Sequence, residues 1–334
     1  LAAQFREATI PVVDDLASLS VPPDLIHGQQ NHELLTALLH FPRVPAIRFC
    51  HGWHDDPVQP FPRVLRFVCV DDTTYDRAVF EWGVPADRTL VLLNFVDLQR
   101  FRTRDSLPLR PKRALVFSNK AIVHLAAVRQ ACARWGIAVD AVGSTVGKSS
   151  AHPEVLLQQY DVVFAKGRSA LEALASGAAV VLCDASGVGP LVTTAELDAL
   201  QRLNFGLRAL SRPTDPDTIA AEIARYDPKD AAEVSRRIRA RASKDPAIDQ
   251  ILQLYEEVIA EWQHAVTGDP DQELHAAARY LRSVAPRLYW HLSPSSGLYA
   301  ALRNIYLGGL RASPLRRLLP SHRVARAIHR ALRY

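Results

Sequence analysis

DVVFAKGRSALEALASGAAVVLCD, residues 161–184, decides the fold. An apolar run ends at Ala165, the turn residues Lys166, Gly167, Arg168 and Ser169 follow, and a helix-like stretch opens at Ala170. Gly177 closes that stretch, and a second apolar run continues to Asp184. The order reads as strand, turn, helix and strand, with Gly177 as the left-handed residue that ends the helix. A crossover this short is near the minimum for a right-handed βαβ unit, so the two strands are expected to run parallel in a buried sheet. The turn places two cations, a glycine and free amides at a helix start, where the helix dipole favours an anion. A diphosphate suits such a site. A plainer reading also fits: Ser169-x-x-Glu172 has the spacing of a capping box, with Lys166 and Arg168 merely solvated.

Outward from this unit the chain keeps alternating. Apolar runs at 10–16 (IPVVDDL), 23–28 (PDLIHG), 46–52 (AIRFCHG), 64–72 (VLRFVCVDD) and 89–97 (TLVLLNFVD) read as strands. HELLTALLHF and TTYDRAVFEWG read as helices between them. Polar, proline-containing RTRDSLPLRPKR (102–113) reads as a linker. A second series then begins with strands RALVFSN, IAVDAVGS, DVVFA and AAVVLCD, and a helical segment at 248–265 leads into the C-terminal segment. The expected fold class is α/β, with two Rossmann-like doubly wound domains and a basic, mostly helical tail. The boundaries are 1–103 for the first domain, 104–113 for the linker, 114–265 for the second domain with its closing helix, and 266–334 for the tail. Two such halves imply an interdomain cleft that holds ligand.

Length and composition agree. A chain of 334 residues is about two domains long, and 48% hydrophobic against 22% charged residues excludes a disordered chain. No eighteen-residue apolar stretch is free of charge, so no spanning helix is expected. LAAQFREATI lacks the basic-then-apolar layout of a secretory signal, and a cytoplasmic location is expected. Cys50, Cys69, Cys132 and Cys183 have no paired spacing and read as buried thiols. Methionine is absent, so the natural start is expected upstream.

The formal charge of +5 is unevenly placed. From Leu274 to Tyr334 there are eleven arginines and no acidic residue, leaving residues 1–273 at −6. Tyr280, Tyr289, Trp290, Tyr299 and Tyr306 interleave with those arginines. A basic amphipathic segment with aromatic margins reads first as an anchor to an anionic membrane surface. A tail docked on its own globule is the second reading and a polyanion-binding arm the third. No nucleic-acid-binding motif is present, and no nucleic-acid partner is expected.

DVVFAKGRSALEALASGAAVV resembles the donor-site signature of GT-B glycosyltransferases, a strand, polar loop, Glu-Ala-x-Ala-x-Gly helix and buried strand. VLLNFVDLQRF (91–101) is similar to the run that closes the N-terminal domain in retaining, family-4-like members: Asn94, Asp97 and Phe101 match, and Phe95 replaces the usual glycine. PDLIHGQ and AIRFCHGWH resemble that domain's strands ending in histidine. The resemblance spans about residues 10–265 and begins at what corresponds to the family's first helix, so the opening strand is expected to be missing.

The resemblance implies a role for each matching position. Glu172 matches the second glutamate of the family, which binds the nucleotide ribose, whereas Phe164 stands where retaining members carry the first. Lys166, Gly167, Arg168 and Ser169 are implied to hold the diphosphate, with Lys166 also stabilising the leaving group. Asn119 and Lys120 stand at the family's basic phosphate contact, unless Lys120 is a surface lysine at a helix start; Gly143 ends a strand, as a simple turn or beside the base. His51 is implied to face the donor sugar. His54, Asp55 and Asp56 follow at once, and Asp55 there can act as base if the enzyme inverts. His27 and Gln29 are acceptor-side candidates. Asp71 and Asp72 are expected to cap a helix and not to bind metal; no metal and no cofactor are inferred, the nucleoside-diphosphate sugar being substrate.

The expectation is a glycosyltransferase acting at the inner face of the membrane, with a lipid-linked or cell-surface polysaccharide acceptor. Gly167-Arg168-Ser169-x-x-Glu172 also resembles Kdo-transferase-like and MurG-like members, so retention, slightly favoured, and inversion both stay open. The alternatives are a nucleotide-sugar 2-epimerase-like enzyme and a non-catalytic GT-B module that binds glycan or a partner protein.

Overall fold

The computed structural model of the chain describes residues 8–52, 57–264 and 270–292. Strands β1 (Ile26–Gly28), β2 (Ala46–Cys50), β3 (Val64–Cys69) and β4 (Thr89–Val91) form a first sheet in that spatial order, each pair parallel. Helix α1 (Asn31–His40) joins β1 to β2, and α2 (Asp72–Asp76), continued by a π-helical turn over Arg77–Glu81, lies between β3 and β4. AIRFC and VLRFVC are buried at nearly every position, as strands covered on both sheet faces require, although each carries an arginine, Arg48 and Arg66. Asp71 caps α2 by accepting the Thr74 amide at 2.6 Å, as its position in the sequence predicts.

The second sheet contains β5 (Arg113–Phe117), β6 (Ala138–Val142), β7 (Val162–Ala165), β8 (Ala179–Asp184) and β9 (Gly187–Leu191) in the order β6-β5-β7-β8-β9. All pairs are parallel except β8–β9. Helices α3 (Leu125–Ala133), α4 (Pro153–Leu157), α5 (Gly167–Ala175), α6 (Leu197–Arg202), α7 (Pro216–Ile223) and α8 (Pro228–Arg241) complete this lobe. The two-residue period of the strands sorts the core. Leu115, Val163, Val180 and Leu182 pack with Leu171 and Leu174 of α5 and Val234 and Ile238 of α8. Val116, Val162, Phe164, Val181 and Cys183 pack with Val128 and Cys132 of α3 and Ile219 and Ile223 of α7. Each fully buried aliphatic side chain of this kind contributes about 1.5–3 kcal/mol.

Strand order positions the site. The chain steps from β5 to β6 in one direction and then returns past β5 to β7, so the crossovers diverge between β5 and β7. A crevice opens at the carboxyl ends of strands where that reversal occurs. The first sheet steps one way only among its described strands.

Helix α9 (Lys244–His264) follows the second lobe in sequence but covers the first sheet. Leu254 and Val258 are buried among Ile47, Phe49, Leu65 and Val68, and Trp262 Nε1 donates to Arg43 O at 2.9 Å. Helix α10 (Pro270–Leu292) is the last described element, and the chain divides into units 1–273 and 274–334. No described helix is long and apolar enough to cross a membrane.

Several elements differ from the sequence reading. Residues 10–16 form no strand; Ile10, Val12 and Val13 are exposed, and the run ends in a 3-10 turn at Leu16–Ser18. An apolar run without an adjacent strand has no ladder to join. The 89–97 run is a strand only to Val91, after which Leu92–Phe95 turns into the cleft described below. Strand β9, sequence GVGPL, resembles a turn by composition yet is an antiparallel edge, where proline is tolerated. All four cysteines are buried thiols, as expected.

Candidate active site

Helix α5 starts at Gly167, three residues earlier than its apolar pattern suggests. Lys166 is therefore the N-cap, extended and without a side-chain cap, and Ser169 lies inside the first turn. The capping box does not form, because its serine is already helical. Gly167 donates its amide to Phe205 O at 2.8 Å. The amides of Arg168 and Ser169 meet no backbone acceptor among the described residues, as expected of a first turn. The far end follows the sequence: Gly177, at φ +87°, ends the helix in the left-handed conformation.

Both turn cations have carboxylate partners. Lys166 Nζ lies 3.3 Å from Asp184 Oδ2 at the end of β8, and Arg168 Nε donates to Glu172 Oε1 at 3.1 Å, one turn on. Burial raises the pKa of Glu172 and the Arg168 charge opposes the shift. Burial also pushes Asp184 up, but the Ala185 amide, the Lys166 charge and the Ser118 hydroxyl outweigh it and leave its pKa below the usual carboxylate value.

A cavity of about 580 Å³ separates the two lobes of unit 1–273. His27, Gln29, Phe49, His51, Asp71, Asn94 and Phe95 line it from the first lobe, and Lys166, Gly167, Arg168, Asn204 and Gly206 from the second. Of the site candidates, His27, Gln29, His51, Lys166, Gly167 and Arg168 thus meet in one space. Asn119, Gly143 and Ser169 line a neighbouring cavity of about 230 Å³, together with Ser118, Ser149 and Ser150. Lys120 and Glu172 line neither: Lys120 is exposed ahead of the 3-10 turn Ala121–Val123, and Glu172 faces Arg168. His54 and Asp55 lie outside the described residues.

His27 is held from both sides. The Gln29 amide Nε2 can only donate, and it sits 2.7 Å from His27 Nε2, so Nε2 is the acceptor. The proton then belongs on Nδ1, 2.5 Å from Tyr255 Oη of α9, while the ring stacks on Phe49 at 4.3 Å. Desolvation, then the charges of His51 and Arg48, lower the His27 pKa from 6.5 to about 4. The folded protein thus resists protonating this imidazole, whereas the unfolded chain does not. Stability should be fully retained above pH 6.5 and decline as the pH falls toward about 4. Thermal melts over that interval check it: the acid-induced fall in Tm should be smaller for H27Q than for wild type.

Gly143 is required by close approach. A Cβ at this position would lie 1.8 Å from Ser118 O and 2.6 Å from Ser118 C, both backbone atoms that cannot swing away. G143A is expected to cost about 3 kcal/mol by overpacking the ends of β5 and β6, read as a lowered Tm.

The sequence left unmarked Asn204, which lines the cleft, and two residues that hold lining residues, Asp184 on Lys166 and Tyr255 on His27. Asp184 looks like the end of a strand, Asn204 lies in a loop, and Tyr255 sits in a helix that is remote in sequence. Asp71 was legible only as a cap, yet it also lines the cleft, and burial raises its pKa against its bonds to Thr74. Phe164, at the position of the missing first glutamate, is fully buried in β7 against α3 and α7. Asp97 is committed elsewhere, accepting Lys244 Nζ at 2.7 Å.

Among solved structures, Anabaena Alr3699/HepE in complex with UDP and glucose aligns with a TM-score of 0.52 and 14% identity, over 76% of this chain and 88% of its own. The fold is GT-B. A glycosyltransferase from Rickettsia africae ESF-5 aligns at 0.48 and 12% identity, over 77% and 79% of the two chains. AviGT4, a glycosyltransferase involved in avilamycin A biosynthesis, aligns at 0.46 and 16% identity, over 72% and 75%. No protein-family model matches the chain, and no curated protein matches it. At these identities the likeness concerns the GT-B fold alone, with its two parallel-sheet lobes and the cleft between them.

Proposed function

We propose that the protein is a nucleotide-sugar-dependent glycosyltransferase of the family-4-like type. One observation carries the reading: a helix start with open amides and two cations shares a cleft with the histidine-bearing strand ends of the opposite lobe. In this reading Lys166, Arg168 and the first-turn amides of α5 hold the donor diphosphate. They stabilise the charge that develops on it as the glycosidic bond breaks. Glu172 receives the ribose hydroxyls once Arg168 turns to the phosphates, and Asn119, Gly143 and Ser169 border the base. That the solved HepE structure contains UDP and glucose supports the nucleotide and sugar assignment.

From the first lobe, His51 contacts the donor sugar, and the acceptor enters beside His27 and Gln29. Both ring nitrogens of His27 are occupied, so His27 orients and does not accept the proton. We favour retention, in which the acceptor hydroxyl attacks on the face the diphosphate leaves. The acceptor is lipid-linked or part of a surface polysaccharide, a reading supported by the eleven arginines and absent acids of 274–334, which suit an anionic membrane surface.

Calorimetric titration with UDP, GDP and ADP tests the donor site, followed by incubation of the matching nucleotide sugar with lipid-linked acceptors. Binding of one nucleoside diphosphate and transfer to acceptor are expected. No binding at millimolar concentration overturns the donor site. Free sugar released without acceptor replaces transfer by epimerase-like chemistry.

A further inference from the structure

We infer that Asp184 is a positioning residue, the anchor that holds the Lys166 ammonium in place for a diphosphate at the start of α5. The inference rests on the donor reading above and assigns a part to a residue that reading does not use. Asp184 ends β8 and is 4% exposed. Its Oδ2 lies 3.3 Å from Lys166 Nζ, and its Oδ1 accepts the Ser118 hydroxyl at 3.0 Å. Ser118 follows β5 and Lys166 follows β7, the two strands that flank the point where the crossovers diverge. One buried carboxylate therefore ties together the carboxyl ends of three neighbouring strands at the place where a ligand enters.

Its burial fits a fixed anchor better than a surface ion pair. The Asp184 side chain is almost fully enclosed, whereas Lys166 is partly open and lines the cleft. An ammonium carries three N–H donors, so one directed at Asp184 leaves others for phosphate oxygens. A free lysine stem samples many rotamers and loses that freedom on binding; an anchored one has lost it before the ligand arrives. The Arg168–Glu172 pair differs, because Arg168 is largely exposed and spans a single helical turn, so its geometry is loose. Lysine is the pre-set cation of the loop and arginine the mobile one.

The anchor reading and simple electrostatics predict opposite signs. As a bare negative charge near a diphosphate, Asp184 would repel it, and neutralisation would tighten binding. As an anchor, Asp184 preorganises Lys166, and D184N would weaken binding although it removes a repulsive charge.

The test is a double-mutant cycle on affinity for the nucleoside diphosphate that wild type binds, with inorganic pyrophosphate as a second probe. K166Q is expected to weaken binding about tenfold or more, the value of one charge-assisted hydrogen bond. D184N should weaken it about fivefold, the scale of ordering one rotamer-rich side chain on binding. K166Q/D184N should bind no more weakly than K166Q, because the aspartate acts only through the lysine. An additive loss, unchanged binding or tighter binding in D184N overturns the inference while leaving the donor site standing. Failure of wild type to bind any nucleoside diphosphate or pyrophosphate overturns both. If D184N does not fold, S118A reports instead, since it frees Oδ1 and keeps the charge; it should show a smaller loss in the same direction that disappears in the K166Q background.

Discussion

K166E is expected to lower nucleoside diphosphate affinity by about a hundredfold or more. Loss of the ammonium removes a charge-assisted hydrogen bond of about 1.5–3 kcal/mol. The introduced carboxylate then lies beside Asp184 and faces the incoming phosphates, which adds repulsion in a partly enclosed cleft. Two carboxylates in contact also raise each other's pKa, so the residual affinity should be strongest at acid pH, where one of them is protonated. Titration of wild type and K166E with the same nucleotide at two pH values checks both parts. Affinity within threefold of wild type would move the diphosphate away from α5.

R63M should produce the largest loss of stability, about 4 kcal/mol, the scale of removing one partner from a buried ion pair. Arg63 follows the proline turn before β3 and is 7% exposed. Its Nη1 donates to Phe41 O at 2.7 Å and Val44 O at 2.8 Å, its Nη2 donates to Leu38 O, and its Nε lies 3.4 Å from Glu273 Oε2. One guanidinium thus bonds carbonyls at the end of α1 and in the turn after it, and neutralises a buried carboxylate. Burial lowers its pKa and Glu273 opposes the shift. Methionine fills similar volume but donates nothing. The expected readout is a Tm lower by about 6 °C for a chain of this size. R63M/E273Q should recover part of the loss, since the second change removes the charge left uncompensated; no recovery would place the cost in the carbonyls alone.

Neither set of residues was equally legible in sequence. The βαβ unit at 161–184 announced itself, because its strands, glycine stop and cationic turn are local signals that depend on a few adjacent residues. The two-lobed α/β class followed from repetition of the same alternation, and Asp71 could be read as a cap because capping is a contact over three residues. Arg63 carried no signal, since its partners are 19 to 25 residues upstream and 210 downstream. Residues 10–16 misled, because an apolar run states a capacity for a strand and not the presence of a neighbour. The start of α5 shifted from Ala170 to Gly167 because backbone geometry, and not apolar periodicity, sets the first turn.

Sequence by itself determined strands β5 to β8 and the helices between them, the cationic loop between β7 and α5, the burial of the cysteines and the basic character of 274–334. Each rests on composition or spacing within a short window, where local sterics and hydrophobic period act directly. Tertiary structure alone decided that β5 and β7 flank the divergence of the crossovers, and that α9 returns to cover the first sheet and brings Tyr255 to His27. It alone paired Lys166 with Asp184. Those arrangements depend on strand order and on chain crossings between distant segments. A carboxylate at the end of one strand and an ammonium at the end of its neighbour become partners only when the sheet has formed.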